Sequence, residues 1–452
     1  MTTEIEHSAA SEEAPAPGRN GVVLKRKLGG VGGYYRTYEI YGRQRLKDSQ
    51  HLFNPRVFLR REHLLDPYAA FNDLRGKYEC YRDWINNCHW VSRYNEVTSV
   101  FADEANFESR PKRWFYQMED YGRDLRDELP VLWAWARGME TAQHTVAGEL
   151  IAAFAGKGEA DLIGDFTYRY PLYLLASTLG LPRDDWEQFG EWYRAMMDGW
   201  QWEPRRELAG KQAIAAFTEY VRPLFEARRQ APGDDLISAV ATLELEDGPT
   251  TAEDLVATVL EYDGETLFGG LSNMWFQLLR HPDQLAVLGE DPLMVKRAWQ
   301  ETLRHSTPIL QWRRFARHEV ERWGWLIPEG GIVMCSAAAA NRDERIFADP
   351  DRFNIHRKDL CYREPRGQYR ADGLPAGVAF GLGKPSIHPA IPEDRPRSVY
   401  AITMELAVTA SKALLAAMPD VRIRPGTDPV MFCRWPWDIH TCWDLQVVFS
   451  RS

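Results

Sequence analysis

The chain has 452 residues, of which 44% are apolar and 27% charged, and 55 basic against 65 acidic side chains give a formal net charge of −10. Such a composition is globular, which excludes disordered, collagenous and small disulfide-scaffold classes, and the length alone suggests about three domains. The acidic balance argues against nucleic acid as a partner.

Residues 1–33 are acidic, rich in Pro, Ala and Ser, and end in Gly29, Gly30, Gly32 and Gly33. They read as a disordered tail without the apolar core of a signal peptide. A helix is expected from Asp66-Pro67-Tyr68, where Tyr68, Phe71 and Leu74 fall at helical spacing, followed by two short strands around 78–81 and 90–92. The middle of the chain reads as helices over 142–155, 162–179, 186–200, 209–229, 234–243 and 252–279, punctuated by Gly156-Lys157-Gly158, Leu181-Pro182 and Ala231-Pro232-Gly233. The last of these would run about 42 Å, a long central helix. Beyond it come a helix to Arg304, strand-like segments at 314–315, 319–321, 325–327 and 332–335, a Pro/Gly/Arg-rich loop over 357–398, a helix over 399–418 and a β-rich end. The fold class is therefore mainly α with a small β part.

Six cysteines, Cys80, Cys88, Cys335, Cys361, Cys433 and Cys442, show no metal-ligand spacing and no secreted framework, which fits a reducing cytoplasm. Apolar stretches such as 333–340 fall short of the roughly 18 residues that span a bilayer, so a soluble protein with no membrane partner is expected. Trp192, Trp200, Trp202, Trp435 and Trp437 point to a hydrophobic or aromatic small-molecule ligand.

Glu301-Thr302-Leu303-Arg304 sets a carboxylate and a guanidinium at i and i+3, on one helix face. It is preceded by Leu278-Leu279-Arg280-His281-Pro282 and followed by Arg314-Phe315-Ala316, Ile327-Pro328-Glu329-Gly330, Ala340-Asn341-Arg342-Asp343 and Asp351-Arg352-Phe353. In this order and spacing the set resembles the soluble bacterial type of cytochrome P450. The resemblance implies the cytochrome P450 fold and one domain over residues 34–452 behind the 1–33 tail. It also implies a structural lock in which Glu301 and Arg304 bind Arg352.

The resemblance carries expectations for a heme site. Tyr262-Asp263-Gly264-Glu265-Thr266 is similar to the segment crossing the distal heme face, whose acid and alcohol, here Glu265 and Thr266, relay protons. Tyr262 and Asp263 stand where the family keeps small residues; with Glu265 they could alternatively serve as acid–base groups without a metal. His144 resembles the first residue of a His-x-x-x-Arg pair, with Gly148 in the arginine slot, and Arg314 resembles the second propionate-binding arginine. Phe380-Gly381-Leu382-Gly383 keeps the first turn of the heme-binding signature, but Ile387 occupies the cysteine slot and Pro389 the final glycine slot, and an insertion of about nine residues follows. No cysteine lies between Cys361 and Cys433, so this loop offers heme b no thiolate. His388, beside the vacant slot, is a candidate iron ligand or else a surface-loop histidine. Two functions follow from the resemblance. One is an auxiliary or small-molecule-binding protein of secondary metabolism, like the cysteine-less members that bind and activate a partner glycosyltransferase. The other is a heme b oxidoreductase with His388 on the metal, Glu265 and Thr266 as relay, and a redox partner.

Overall fold

The computed structural model describes residues 39–47, 61–200, 203–362, 370–371, 374–381, 396–433 and 439–451. The tail assigned to 1–33, Trp202, Gly383, Ile387, His388, Trp435 and Trp437 lie outside the described residues.

Five helices frame the interior. Helix α1 (Leu129–Ala152) starts well before the expected residue 142, because Pro130 sits in its first turn, where a missing N–H costs nothing. The expected helix over 252–279 is two helices, α2 (Ala252–Glu261) and α3 (Glu265–Arg280), with Tyr262 in extended backbone at φ −66°, ψ 146°. Local chemistry explains the break. The Asp263 carboxylate accepts the backbone N–H groups of Glu265 at 3.0 Å and Thr266 at 3.2 Å, and so caps a new helix instead of continuing the old one. The carbonyls this frees are met from elsewhere. Lys112 Nζ donates to Leu260 O and Tyr262 O, both at 3.0 Å, Arg126 donates to Glu261 O at 2.9 Å, and the Tyr193 hydroxyl donates to Tyr262 O at 2.8 Å.

Beyond its first residue α3 is buried up to Leu279. It packs on α4 (Pro292–His305) so closely that a Cβ at Gly270 would meet the Trp299 ring at 2.4 Å. Helix α5 (Val399–Ala417) packs against α1, α3 and α4. Contrary to the sequence expectation, α5 is long and apolar enough to cross a membrane by length and composition, with a mean hydropathy of 1.4. Its buried positions, among them Ile402, Leu406, Ala410 and Leu414, belong to the protein core.

The largest sheet has five strands, β1 (Cys80–Asp83), β2 (Cys88–Val91), β3 (Phe107–Glu108), β4 (Trp312–Ala316) and β5 (Ile332–Cys335), in the order β1-β2-β5-β4-β3. Only β5 and β2 run parallel. Central placement in this sheet holds β4 and its arginines rigidly at the edge of the interior.

Glu301 and Arg304 have fully buried side chains and pair at 2.7 Å. Arg304 also donates to Asn341 O at 2.9 Å and Pro350 O at 2.8 Å. The third arginine is not Arg352, as the sequence suggested. Arg352 is exposed and offers only its carbonyl to Arg304, whereas Arg357 reaches Glu301 at 3.2 Å. The chain turns back after Asn354, whose N–H also binds Glu301, and Asp359 orients the Arg357 guanidinium from the other side at 2.9 Å.

Candidate functional site

A cavity of about 820 Å³ opens beside the break between α2 and α3. Its walls come from α1, the first turn of α3, β4, the segment leading from Phe101 to Phe115, and the Phe380 turn with the start of α5. A second, more open cleft of about 870 Å³ carries Arg352 and Phe353. There His281 contacts Gln277 O at 2.8 Å and His305 contacts Asp351 O at 2.9 Å, so both imidazoles are engaged in holding the backbone.

Tyr262, Asp263 and Glu265 all line the first, more enclosed cavity. The Tyr262 ring stacks on Trp135 of α1 with centroids 5.5 Å apart and 13° between planes. Burial pushes the Tyr262 phenol above its ordinary pKa, so it stays protonated. Asp263 is occupied as the helix cap. Thr266 does not line the cavity; its hydroxyl is turned to Asp263 Oδ2 at 2.6 Å, because the break places the capping carboxylate directly over it. Of the expected acid and alcohol, only Glu265 faces the cavity.

Apart from Arg314, the cationic side of the site is built by residues the sequence reading did not single out. Burial works against the charge of Arg126, but its fork to Asp124 at 2.7 and 3.0 Å and nearby Glu261 hold its pKa above the ordinary value. Desolvation pushes the Glu261 carboxyl up. On β4 the Arg313 guanidinium lies over Phe115 at 5.2 Å and Trp200 at 5.1 Å. Arg314 lies over Phe101 at 4.8 Å and donates to Arg313 O at 3.0 Å. No carboxylate pairs with Arg314 among the described residues, and desolvation lowers its pKa.

Phe380 lines the cavity and packs edge-on against Tyr400 at 5.2 Å. Gly381 has φ +65°, so the turn needs glycine for its backbone, and Arg314 Nη2 lies within van der Waals reach of it. His144 and Gly148 are on the exposed face of α1 and do not line the cavity, which separates them from Arg314. The reason is the helical phase, since Trp135 and Met139 take the inward positions. Among the described residues no cysteine and no histidine lines the cavity. All six cysteines are described and buried elsewhere.

Lys112, Arg126 and Tyr193 escaped the sequence reading because each acts on a carbonyl distant in the chain. Trp135 left a signal as one of the clustered first-half tryptophans, and Gln311 left one as a polar residue just before a β-strand arginine pair.

A family model for cytochrome P450 matches residues 293–359. Cytochrome P450 107B1 of Saccharopolyspora erythraea is 32% identical over 307 residues, which cover 67% of each chain. Pulcherriminic acid synthase of Bacillus subtilis is 26% identical over 337 residues, 70% of this chain and 82% of that protein. Among solved structures, ligand-free cytochrome P450 TbtJ1 superposes with a TM-score of 0.69 at 23% identity, covering 85% of this chain and 97% of its own.

Proposed function

The chain belongs to the cytochrome P450 superfamily, and on that premise we propose that it is not a heme-thiolate monooxygenase but a small-molecule-binding auxiliary protein of secondary metabolism that activates a partner biosynthetic enzyme, such as a glycosyltransferase. Heme in this family is held by an axial side-chain donor and by cations on its propionates. The observation that carries the reading is the donor set: no sulfur and no imidazole lines the cavity among the described residues, and Ile387 stands in the cysteine slot. Two further features support it. Of the residues expected at the propionates, Arg314 alone faces the cavity, and Tyr262, its ring stacked on Trp135, stands where the family keeps a small side chain. The residues described here do not fit a heme-thiolate centre.

The test is spectroscopic. Protein purified from heme-supplemented cells should show no Soret band at stoichiometric intensity. A stoichiometric heme whose reduced carbonyl complex has the red-shifted Soret band of thiolate ligation would sink the reading.

A second reading is favoured by one observation, the unpaired Arg314 guanidinium facing the cavity. It matches a propionate contact, and heme b would then take His388 as its ligand, with Glu265 the relay acid left at the cavity and a redox partner required. Loss of heme on His388→Ala would decide for it.

A further inference from the structure

Among the side chains around the cavity, those of Gln311, Trp135 and Tyr262 carry polar atoms with no hydrogen-bond partner, and that of Arg314 has no carboxylate in an ion pair with it among the described residues. Gln311 is 7% exposed, and neither its amide oxygen nor its amide nitrogen is hydrogen-bonded. The Trp135 indole N–H and the Tyr262 hydroxyl, on side chains 5% and 7% exposed, are likewise unmet. Arg314 completes the set with a guanidinium that has no carboxylate. Buried polar groups are satisfied in the great majority of cases, and each exception calls for a reason. Here all four line the same cavity. They are also chemically complementary to one another as a recognition surface. The Trp135–Tyr262 stack offers a flat aromatic wall, Gln311 offers a donor and an acceptor together, and Arg314 offers a desolvated cation.

A neutral hydrocarbon would leave every one of these atoms stranded and would keep the cation at its full desolvation cost. Of the acids on this side of the cavity, Glu104 acts on Arg314 only from a distance and forms no ion pair with it, and Glu108 pairs with Arg110 at 3.3 Å and Arg317 at 2.9 Å. No carboxylate among the described residues is in direct contact with Arg314, and an acidic ligand would supply one.

We propose that the cavity binds a planar, ring-bearing organic acid, with its carboxylate on Arg314, its ring system along the Trp135–Tyr262 stack and a polar ring substituent on the Gln311 amide. This rests on the reading that the cavity holds no heme. It narrows the expected ligand from hydrophobic to anionic and aromatic.

Isothermal titration of the full chain with naphthoate and with the neutral isostere naphthamide tests it. Naphthoate should bind roughly ten- to a hundredfold more tightly, the worth of a charge-assisted contact in a desolvated site. Arg314→Gln should abolish that preference, while Arg314→Lys should retain part of it. Equal affinities in the native protein, a preference that survives Arg314→Gln, or no binding of either compound at millimolar concentration overturns the proposal. Gln311→Leu gives a variant whose folding is not at risk. It should raise the thermal midpoint, since it removes an unsatisfied amide, and it should erase any preference for hydroxynaphthoate over naphthoate. A lower midpoint with the preference intact would assign Gln311 a structural part and overturn its place in the site. Hemin is titrated in parallel. Stoichiometric hemin binding that displaces naphthoate overturns the heme-free reading alone, whereas the Arg314 dependence of naphthoate binding decides the anion site.

Discussion

Around Glu301, two guanidiniums and a backbone amide converge on one carboxylate that has no exposed surface, and each of the remaining Arg304 donors finds a carbonyl. Around Tyr262, a phenol, an indole and a primary amide are as deeply buried and meet nothing, beside a guanidinium with no acid. Both regions lie in the same protein core, so depth of burial does not separate them. The first set is closed by the protein itself. The second is open towards a cavity. A half-satisfied buried charge is costly, so unmet polar groups persist where something other than stability maintains them, whereas a framework must be complete to hold.

The contrast can be broken most severely at its closed end. Glu301→Gln leaves Arg304 buried without a counter-charge and Arg357 with Asp359 alone, and should cost about 3 to 5 kcal/mol in denaturant unfolding. A loss below about 1 kcal/mol would mean that the cluster is not the framework described. At the open end the expected sign reverses. Desolvation raises the Glu261 carboxyl above its usual value of 4.5. The folded chain then holds that proton more tightly than the unfolded chain. The contribution is most favourable below about pH 4.5 and is lost as pH rises through the folded-state value. Glu261→Gln should therefore stabilise the protein at neutral pH by on the order of 1 kcal/mol and flatten this part of the pH profile.

At the other end of α2 the sign is opposite. Desolvation works against the Asp254 carboxylate, but Arg123 at 2.7 Å holds its pKa below the usual 3.8, so its contribution is lost as pH falls. Asp254→Asn should therefore destabilise the protein at neutral pH, and a measured pH profile in which it acts in the same direction as Glu261→Gln would remove the distinction between the two ends of this helix.

Asp263→Ala removes the cap of α3 and the partner of the Thr266 hydroxyl. It should cost about 1 kcal/mol and leave the Glu301 cluster untouched, so its effect should add to that of Glu301→Gln. The smallest effect is expected at Arg352. Its side chain is exposed and only its carbonyl is used, so Arg352→Ala should change stability by less than about 0.5 kcal/mol, while Arg357→Ala should cost several times more. Reversed magnitudes would restore the arginine that sequence order suggested.

That arginine shows where sequence reading stops. Glu301 and Arg304 are three residues apart on a helix, so spacing alone puts them on one face. Their third partner sits in irregular chain, where no periodicity says which of two arginines turns inward. The same holds at the site. The segment from Tyr262 to Thr266 was legible as the functional stretch of the long helix, but apolar periodicity on both sides of Asp263 reads as one continuous helix. His144 keeps its place in the sequence pattern, yet helical phase gives the cavity to Trp135 and Met139 instead.

By itself the sequence determined the superfamily, the mainly helical fold and the place of many of its helices and strands, because these depend on short-range spacing that the chain carries locally. The tertiary structure alone decided that the central helix breaks, that Arg357 closes the framework and that Trp135, Tyr262, Gln311 and Arg314 share one cavity. Each of these depends on partners distant in the chain: Lys112, Arg126 and Tyr193 take up the carbonyls at the break. Whether a polar group is satisfied is a property of what folds against it, and no local pattern records that.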